Sequence, residues 1–129
     1  MARILLLESD RLLAQNLIKA LKRRGHQPNW QVDAQQALDA ADEWRPDLVI
    51  LDLFLAQRGG VEFLYEYRSY PEWQSIPVII FSHVAAHELG HTADQLKSLN
   101  ISGYFHKPVV NLNDLCLAID RLLATTAAK

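Results

Sequence analysis

Short runs of consecutive apolar residues constrain the fold of this chain more than any other feature. Each run is too short for a helix, and a polar or charged residue follows it at once. Side chains that are apolar at every position indicate strands with both faces buried, which is typical of parallel sheets. The runs are Ile4–Leu7, Leu48–Leu51 and Pro77–Phe81, with a weaker one at Ser102–His106.

Amphipathic patterns with the period of a helix separate these runs. The first is capped by Ser9 or Asp10 and stops at Gly25, and Asp33 caps the second. The other helices are predicted at about 60–69, about 85–98 and from residue 112 onward. A further strand is predicted at Gln27–Val32, and Pro28 assigns it to a sheet edge because proline donates no ladder hydrogen bond. The βα unit thus occurs five times, which predicts a parallel sheet with helices on both faces.

Length and charge limit the class of protein. The chain has 129 residues, which predicts one domain over residues 1–129 with a frayed tail at about 124–129. The net charge of −2 argues against nucleic acid as a partner, since a protein that binds a polyanion is normally basic. Cys116 is the single cysteine, and no apolar stretch is long enough for a membrane span. We therefore predict a cytoplasmic protein that binds no membrane.

Polar side chains follow the predicted strands at the point where each strand ends. They are the Glu8-Ser9-Asp10 turn, Asp52, the Ser82-His83 pair and the Lys107-Pro108 pair. Ligands bind at this edge of a parallel sheet. Clustered carboxylates suggest a hard cation such as Mg²⁺, and a lysine with a hydroxyl suits a phosphoryl group. Asp52 is the natural phosphoacceptor, because an aspartate can act as a nucleophile and form an aspartyl phosphate.

The order and spacing of several segments resemble the receiver domain of two-component response regulators, including the chemotaxis regulators. The resemblance runs from Ile4 to Leu123. The matching segments are the acidic turn after the first strand, 46–52, Gly59-Gly60, 76–82 and 103–108. It implies a flavodoxin-like, doubly wound (βα)5 fold with strand order 2-1-3-4-5.

The resemblance also implies a phosphorylation-dependent signalling switch of a two-component system or phosphorelay. Asp52 would accept a phosphoryl group from a histidine kinase or a histidine phosphotransfer protein. Magnesium would be held by Asp52, the backbone carbonyl of Phe54 and the acidic turn, where Glu8 and Asp10 supply carboxylates. Apart from its own phosphoryl transfer and autodephosphorylation, such a protein is not an enzyme.

Other residues take family roles by position. Ser82 would bind the phosphoryl group, Lys107 would pair with it, and Pro108 would follow a cis peptide bond. Tyr104 matches the aromatic switch residue of the output face. That face, made by the fourth helix, fifth strand and fifth helix, would signal to a downstream protein target.

Two residues depart from the family pattern. Ser9 stands where the family has a second adjacent acid that binds the metal directly. His83 stands where a small residue commonly follows the hydroxyl. These departures support an alternative hypothesis, a pseudo-receiver that binds partner proteins without phosphorylation.

A remote alternative comes from the sequence His87-Glu88-Leu89-Gly90-His91. This segment fits H-E-x-x-H, in which two histidines on one helix bind zinc and the glutamate acts as the base of a peptidase. The longer form of the motif has a third histidine six residues further on, which is absent here. No glutamate follows Glu88 to serve as the third ligand.

Overall fold

Five parallel strands form a single sheet in the computed structural model, which describes residues 2–54 and 59–127. The strands are β1 Arg3–Leu7, β2 Gln27–Gln31, β3 Leu48–Leu51, β4 Val78–Ser82 and β5 Gly103–His106. They lie in the order β2-β1-β3-β4-β5. The predicted flavodoxin-like (βα)5 architecture and its strand order are therefore confirmed.

Five α-helices cover the two faces of this sheet. They are α1 Arg11–Arg23, α2 Ala34–Trp44, α3 Gly60–Arg68, α4 His91–Lys97 and α5 Leu112–Ala127. Alternate residues of a strand face opposite sides, so Ile4 and Leu6 pack under α1 and α5. Leu5 and Leu7 pack instead under α2, α3 and α4. The fold thus has two apolar cores, one on each face.

Burial along the strands follows the predicted pattern. Every residue of β3 and β4 is buried, as are the last four residues of β1. The edge strands β2 and β5 are largely half-buried. Pro28 lies in β2 at one edge of the sheet, as predicted from its missing donor.

The fourth helix is shorter than the predicted span of about 85–98. A 3-10 helix at Ala86–Glu88 comes first, and α4 starts only at His91. Between them Gly90 has a φ of +57°, a backbone conformation that few side chains tolerate. This glycine divides the predicted helix into two unequal parts.

Helix α5 continues through Ala127, so the tail predicted to fray from about residue 124 begins inside a helix. Residues 128 and 129 of that tail lie outside the described part of the chain. Within residues 2–54 and 59–127, each helix is too short or too polar to cross a membrane.

Candidate functional site

The parallel sheet brings the predicted site residues to one edge. Glu8 follows β1, Asp52 follows β3, Ser82 is the last residue of β4, and Lys107 follows β5. The strand register aligns these ends, since Leu7 pairs with Leu51 in the neighbouring strand. Glu8, Asp52 and Ser82 are 1%, 4% and 0% exposed, and they are the buried polar residues of the described chain.

A buried ion triad occupies the centre of this edge. The Lys107 Nζ lies 2.9 Å from Glu8 Oε1 and 3.1 Å from Asp52 Oδ2. Two carboxylates and one ammonium leave a net charge of −1 in a place that water hardly reaches. Because an unpaired buried charge is costly, Lys107 stabilises the ionised form of both acids.

The backbone and a tryptophan hold Glu8 in position. Its Oε2 accepts the N–H of Asp10 at 3.0 Å, and its carbonyl accepts the indole N–H of Trp30 at 2.9 Å. Burial raises the pKa of Glu8 above the ordinary 4.5, although the Asp10 N–H and Lys107 oppose this. The folded protein therefore binds a proton at Glu8 more tightly than the unfolded chain does.

The raised pKa of Glu8 predicts how stability depends on pH. Between pH 4.5 and the pKa of Glu8 in the folded protein, the folded state binds more protons, so the free energy of unfolding falls as the pH rises. We expect the Glu8→Gln variant to lose this dependence and to be more stable than the native chain at neutral pH. Urea unfolding at several pH values without divalent cations measures both effects. The exposed Glu72→Gln is the matched control, and an unchanged slope in Glu8→Gln contradicts the prediction.

Hydrogen bonds to both carboxylate oxygens hold the Asp52 side chain in place. Oδ1 accepts the N–H of Phe54 at 3.1 Å, and Oδ2 faces Lys107 and the hydroxyl of Ser9 at 3.4 Å. These donors fix the carboxylate without covering every lone pair, because each carboxylate oxygen can accept more than one bond. Asp52 thus presents an oriented carboxylate next to the Lys107 ammonium.

The oxygen donors at this edge fit a hard divalent cation only in part. Glu8 and Asp52 supply carboxylates, and Phe54, whose carbonyl is the third predicted ligand, lies two residues after Asp52 and donates its N–H to Asp52 Oδ1. The Asp10 carboxylate, also predicted as a ligand, caps α1 in this structure by accepting the N–H of Leu13 at 3.1 Å, so its part in a metal site stays a prediction. Within the described residues, three or more acidic, histidine or cysteine side chains do not converge on one point. Ser9 is adjacent to Asp52 but contributes a neutral hydroxyl.

The end of β4 is tied to β5 by side-chain hydrogen bonds. The Ser82 Oγ accepts the N–H of Val84 at 3.1 Å, and the Tyr104 hydroxyl donates to the Val84 carbonyl at 2.5 Å. Burial raises the pKa of Tyr104, whose hydroxyl also contacts Ser82. His106 Nε2 lies 2.8 Å from the carbonyl of His83, while the His83 side chain itself is exposed.

The sequence did not predict that Trp30 and His106 contact the site. Trp30 lies in the edge strand β2, and nothing in its local sequence signals that the indole reaches Glu8. His106 had a signal, since it is two residues from Tyr104 in β5 and therefore on the same face of the strand.

The predicted cis peptide bond before Pro108 is wrong, because the described chain contains trans peptide bonds only. Lys107 and Pro108 lie in a turn that the N–H groups of Val109 and Val110 close on the His106 carbonyl, at 3.0 and 3.1 Å. The trans form is also the intrinsically preferred one before proline.

The zinc-peptidase alternative is also wrong in its geometry. His87 lies in the 3-10 helix and His91 is the first residue of α4, so one continuous helix does not carry both. Gly90, with its positive φ, separates them. The two imidazoles therefore lack the i, i+4 placement on one helix that the motif requires.

Comparison with known proteins gives a family model and several relatives that agree with one another. The family model described as the response regulator receiver domain matches residues 4–120. Protein Rrf1 of Nitratidesulfovibrio vulgaris is 31% identical over 126 residues, covering 98% of this chain and 86% of Rrf1. The probable transcriptional regulatory protein TcrX of Mycobacterium tuberculosis is 29% identical over 125 residues. The match covers 95% of this chain but spans only 50% of TcrX.

Solved structures agree with the fold. A CheY-like response regulator receiver domain protein from Methanospirillum hungatei has a TM-score of 0.88 at 20% identity, covering 99% of this chain and 98% of that one. The Mn²⁺-bound form of response regulator Rcp1 has a TM-score of 0.75 at 26% identity, covering 89% and 86% of the two chains.

Proposed function

This chain belongs to the response regulator receiver domain family, and we propose that it is a signalling switch that accepts a phosphoryl group on Asp52. One observation carries the proposal. Asp52 is a buried carboxylate at the end of a central strand, and Lys107 contacts its Oδ2. This is the arrangement of a nucleophile beside a cation that neutralises the incoming negative charge.

The protein contributes to the chemical step mainly by positioning the reacting groups. An Asp52 carboxylate oxygen attacks the phosphorus of the donor, the bond from phosphorus to the donor breaks, and the donor leaves with that electron pair. The product is an acyl phosphate, which water later hydrolyses to the carboxylate and inorganic phosphate. In a two-component system or phosphorelay, the donor is the phosphohistidine of a kinase or a phosphotransfer protein.

Lys107 and Ser82 are suited to the transferred group. Phosphorylation makes Asp52 larger and more negative, and Lys107 is already within 3.1 Å of Oδ2 to pair with that charge. Ser82 ends the neighbouring strand, and its hydroxyl donates to a phosphoryl oxygen. Tyr104, which contacts Ser82, then couples the site to β5 and the adjoining helices α4 and α5.

Glu8, Asp52 and the Phe54 carbonyl are the groups of this chain that would hold Mg²⁺. The Mn²⁺-bound form of the neighbour Rcp1 supports divalent-cation binding by a protein of this kind. When bound, such an ion screens negative charge on the phosphoryl oxygens. We propose weak binding, because Ser9 provides no charge and the Asp10 carboxylate caps α1.

The partner proteins are a kinase or phosphotransfer protein on one side and a downstream protein target on the other. The target would bind the surface of α4, β5 and α5, which Tyr104 links to Ser82. TcrX is called a transcriptional regulatory protein, but this chain spans only half of it. We propose that the part matched here binds proteins rather than nucleic acid, in keeping with its net charge of −2.

Intact-protein mass after incubation with a small-molecule phosphodonor tests this function. We expect a phosphoryl adduct on the native chain that needs Mg²⁺ and is absent from Asp52→Asn. Asparagine keeps the shape of the side chain but is not an ionised nucleophile, so a surviving adduct would place the reaction elsewhere.

A pseudo-receiver is the second candidate function, and the neutral Ser9 beside Asp52 favours it. In that case the native chain forms no adduct with or without Mg²⁺, while Ser9→Asp forms one. That pair of results would reject phosphorylation as the native switch and leave constitutive protein binding as the function.

A further inference from the structure

One peptide group next to the site is held at both ends. The carbonyl of His83 accepts a hydrogen bond from His106 Nε2 at 2.8 Å. The N–H of Val84 donates to Ser82 Oγ at 3.1 Å. This carbonyl and this N–H belong to the same planar peptide unit, so the two groups cannot turn independently. The orientation of the unit therefore depends on His106 and Ser82 together.

His106 is the donor in its hydrogen bond whatever its protonation state. A carbonyl oxygen only accepts, so the Nε2 atom must carry the hydrogen. Both the neutral Nε2–H tautomer and the imidazolium meet this condition. The contact is therefore a hydrogen bond from the strand to the loop.

The regular geometry of the sheet places His106 beside this peptide unit. His106 pairs with Ser82 in the register of β4 and β5, so its backbone lies directly beside that of the serine. Tyr104 lies two residues earlier on the same face of β5 and donates to the next carbonyl, that of Val84. Two side chains of one strand thus hold two consecutive carbonyls of the segment that follows Ser82.

We propose that His106 is a positioning residue of the phosphorylation site, which fixes the peptide unit between His83 and Val84 and, through the Val84 N–H, the hydroxyl oxygen of Ser82. The role in the reaction rests on the proposed function. Because Oγ accepts the Val84 N–H, the serine hydroxyl is held in a fixed place from which it can donate to an oxygen of the phosphoryl group. Without the hydrogen bond from His106, the peptide unit is free to rotate, and Ser82 Oγ loses the fixed N–H donor of Val84.

Hydrogen exchange of the Val84 amide tests whether His106 fixes the peptide unit, and it requires no phosphodonor. We expect exchange in His106→Leu to be about two- to tenfold faster than in the native chain, the range expected for losing one hydrogen bond. His106→Gln keeps an N–H donor at the same reach and should restore slow exchange. His91→Leu removes an exposed histidine from α4 and is the matched control. Unchanged exchange in His106→Leu would overturn the proposal.

The rate of adduct formation at saturating phosphodonor tests the consequence for Ser82. We expect a decrease of about two- to tenfold in His106→Leu, no change in the half-saturating donor concentration, and recovery in His106→Gln. A native rate in His106→Leu would overturn the positioning role. If the native chain itself forms no adduct, the proposed function fails, whereas the exchange result still decides whether His106 fixes the peptide unit.

Discussion

The Ser9→Asp variant is expected to bind Mg²⁺ at least about 10–100-fold more tightly than the native chain. Changes to groups that merely orient a metal ligand already alter affinity by that factor, and a new carboxylate ligand should do no less. The Ser9 Oγ lies 3.4 Å from Asp52 Oδ2, so a carboxylate at position 9 would lie alongside Asp52 and Glu8. Titration calorimetry with MgCl₂ measures the change directly.

The same substitution has an opposite effect when no cation is present. A third acid beside a triad that already carries a net charge of −1 adds repulsion, so unfolding without Mg²⁺ should occur at lower urea. Ser9→Asn is the control, because it has the size of aspartate without the charge. If Ser9→Asn binds Mg²⁺ as tightly as Ser9→Asp, charge at position 9 does not limit the site.

Replacing Gly60 by alanine is expected to lower the free energy of unfolding by about 3 kcal/mol, the upper end for forcing extra atoms into a packed site. A Cβ at this position would lie 2.5 Å from the carbonyl oxygen of Asp52 and 2.7 Å from the Cα of Leu53. Both atoms are backbone, so no side chain can rotate away to relieve the contact. The turn that carries Asp52 must move instead, and we expect slower adduct formation as well.

The neighbouring glycine provides the control. A Cβ on Gly59 meets nothing within 4 Å among the described residues, and its φ of −64° is ordinary for alanine. Gly59→Ala should therefore change stability by less than about 1 kcal/mol, since restriction of the unfolded chain is offset by the loss of a favourable glycine at the N-cap of α3. Urea unfolding compares the two variants, and equal stabilities would mean that the close approach at Gly60 does not matter.

The fold could be predicted because its signals are local and agree with one another. The apolar runs become β1, β3 and β4, Asp10 and Asp33 cap α1 and α2, and Pro28 marks an edge strand. The fourth helix was too long in the prediction because Gly90 was counted as a helical residue. A single glycine is tolerated within many helices, so sequence alone does not show where one takes a positive φ.

The candidate site was predictable in composition but not in every contact. Parallel strands necessarily bring Glu8, Asp52 and Lys107 to one edge, and the spacing showed this. Whether the Asp10 carboxylate faces the site or caps α1 depends on the side-chain rotamer, which the sequence does not specify. The bond from His106 to a loop carbonyl likewise requires the three-dimensional course of that loop.

The hydrogen bond between Trp30 and the Glu8 carbonyl makes the site visible to optical spectroscopy. Of the three tryptophans, Trp44 is close to Arg3 and Trp73 stacks on Tyr67, each away from the triad. Indole emission responds to changes in the polarity and charge around the ring. The native chain therefore carries an indole hydrogen-bonded to one of the two acids proposed to hold the cation, and we expect changes at the site to alter its emission without an attached dye.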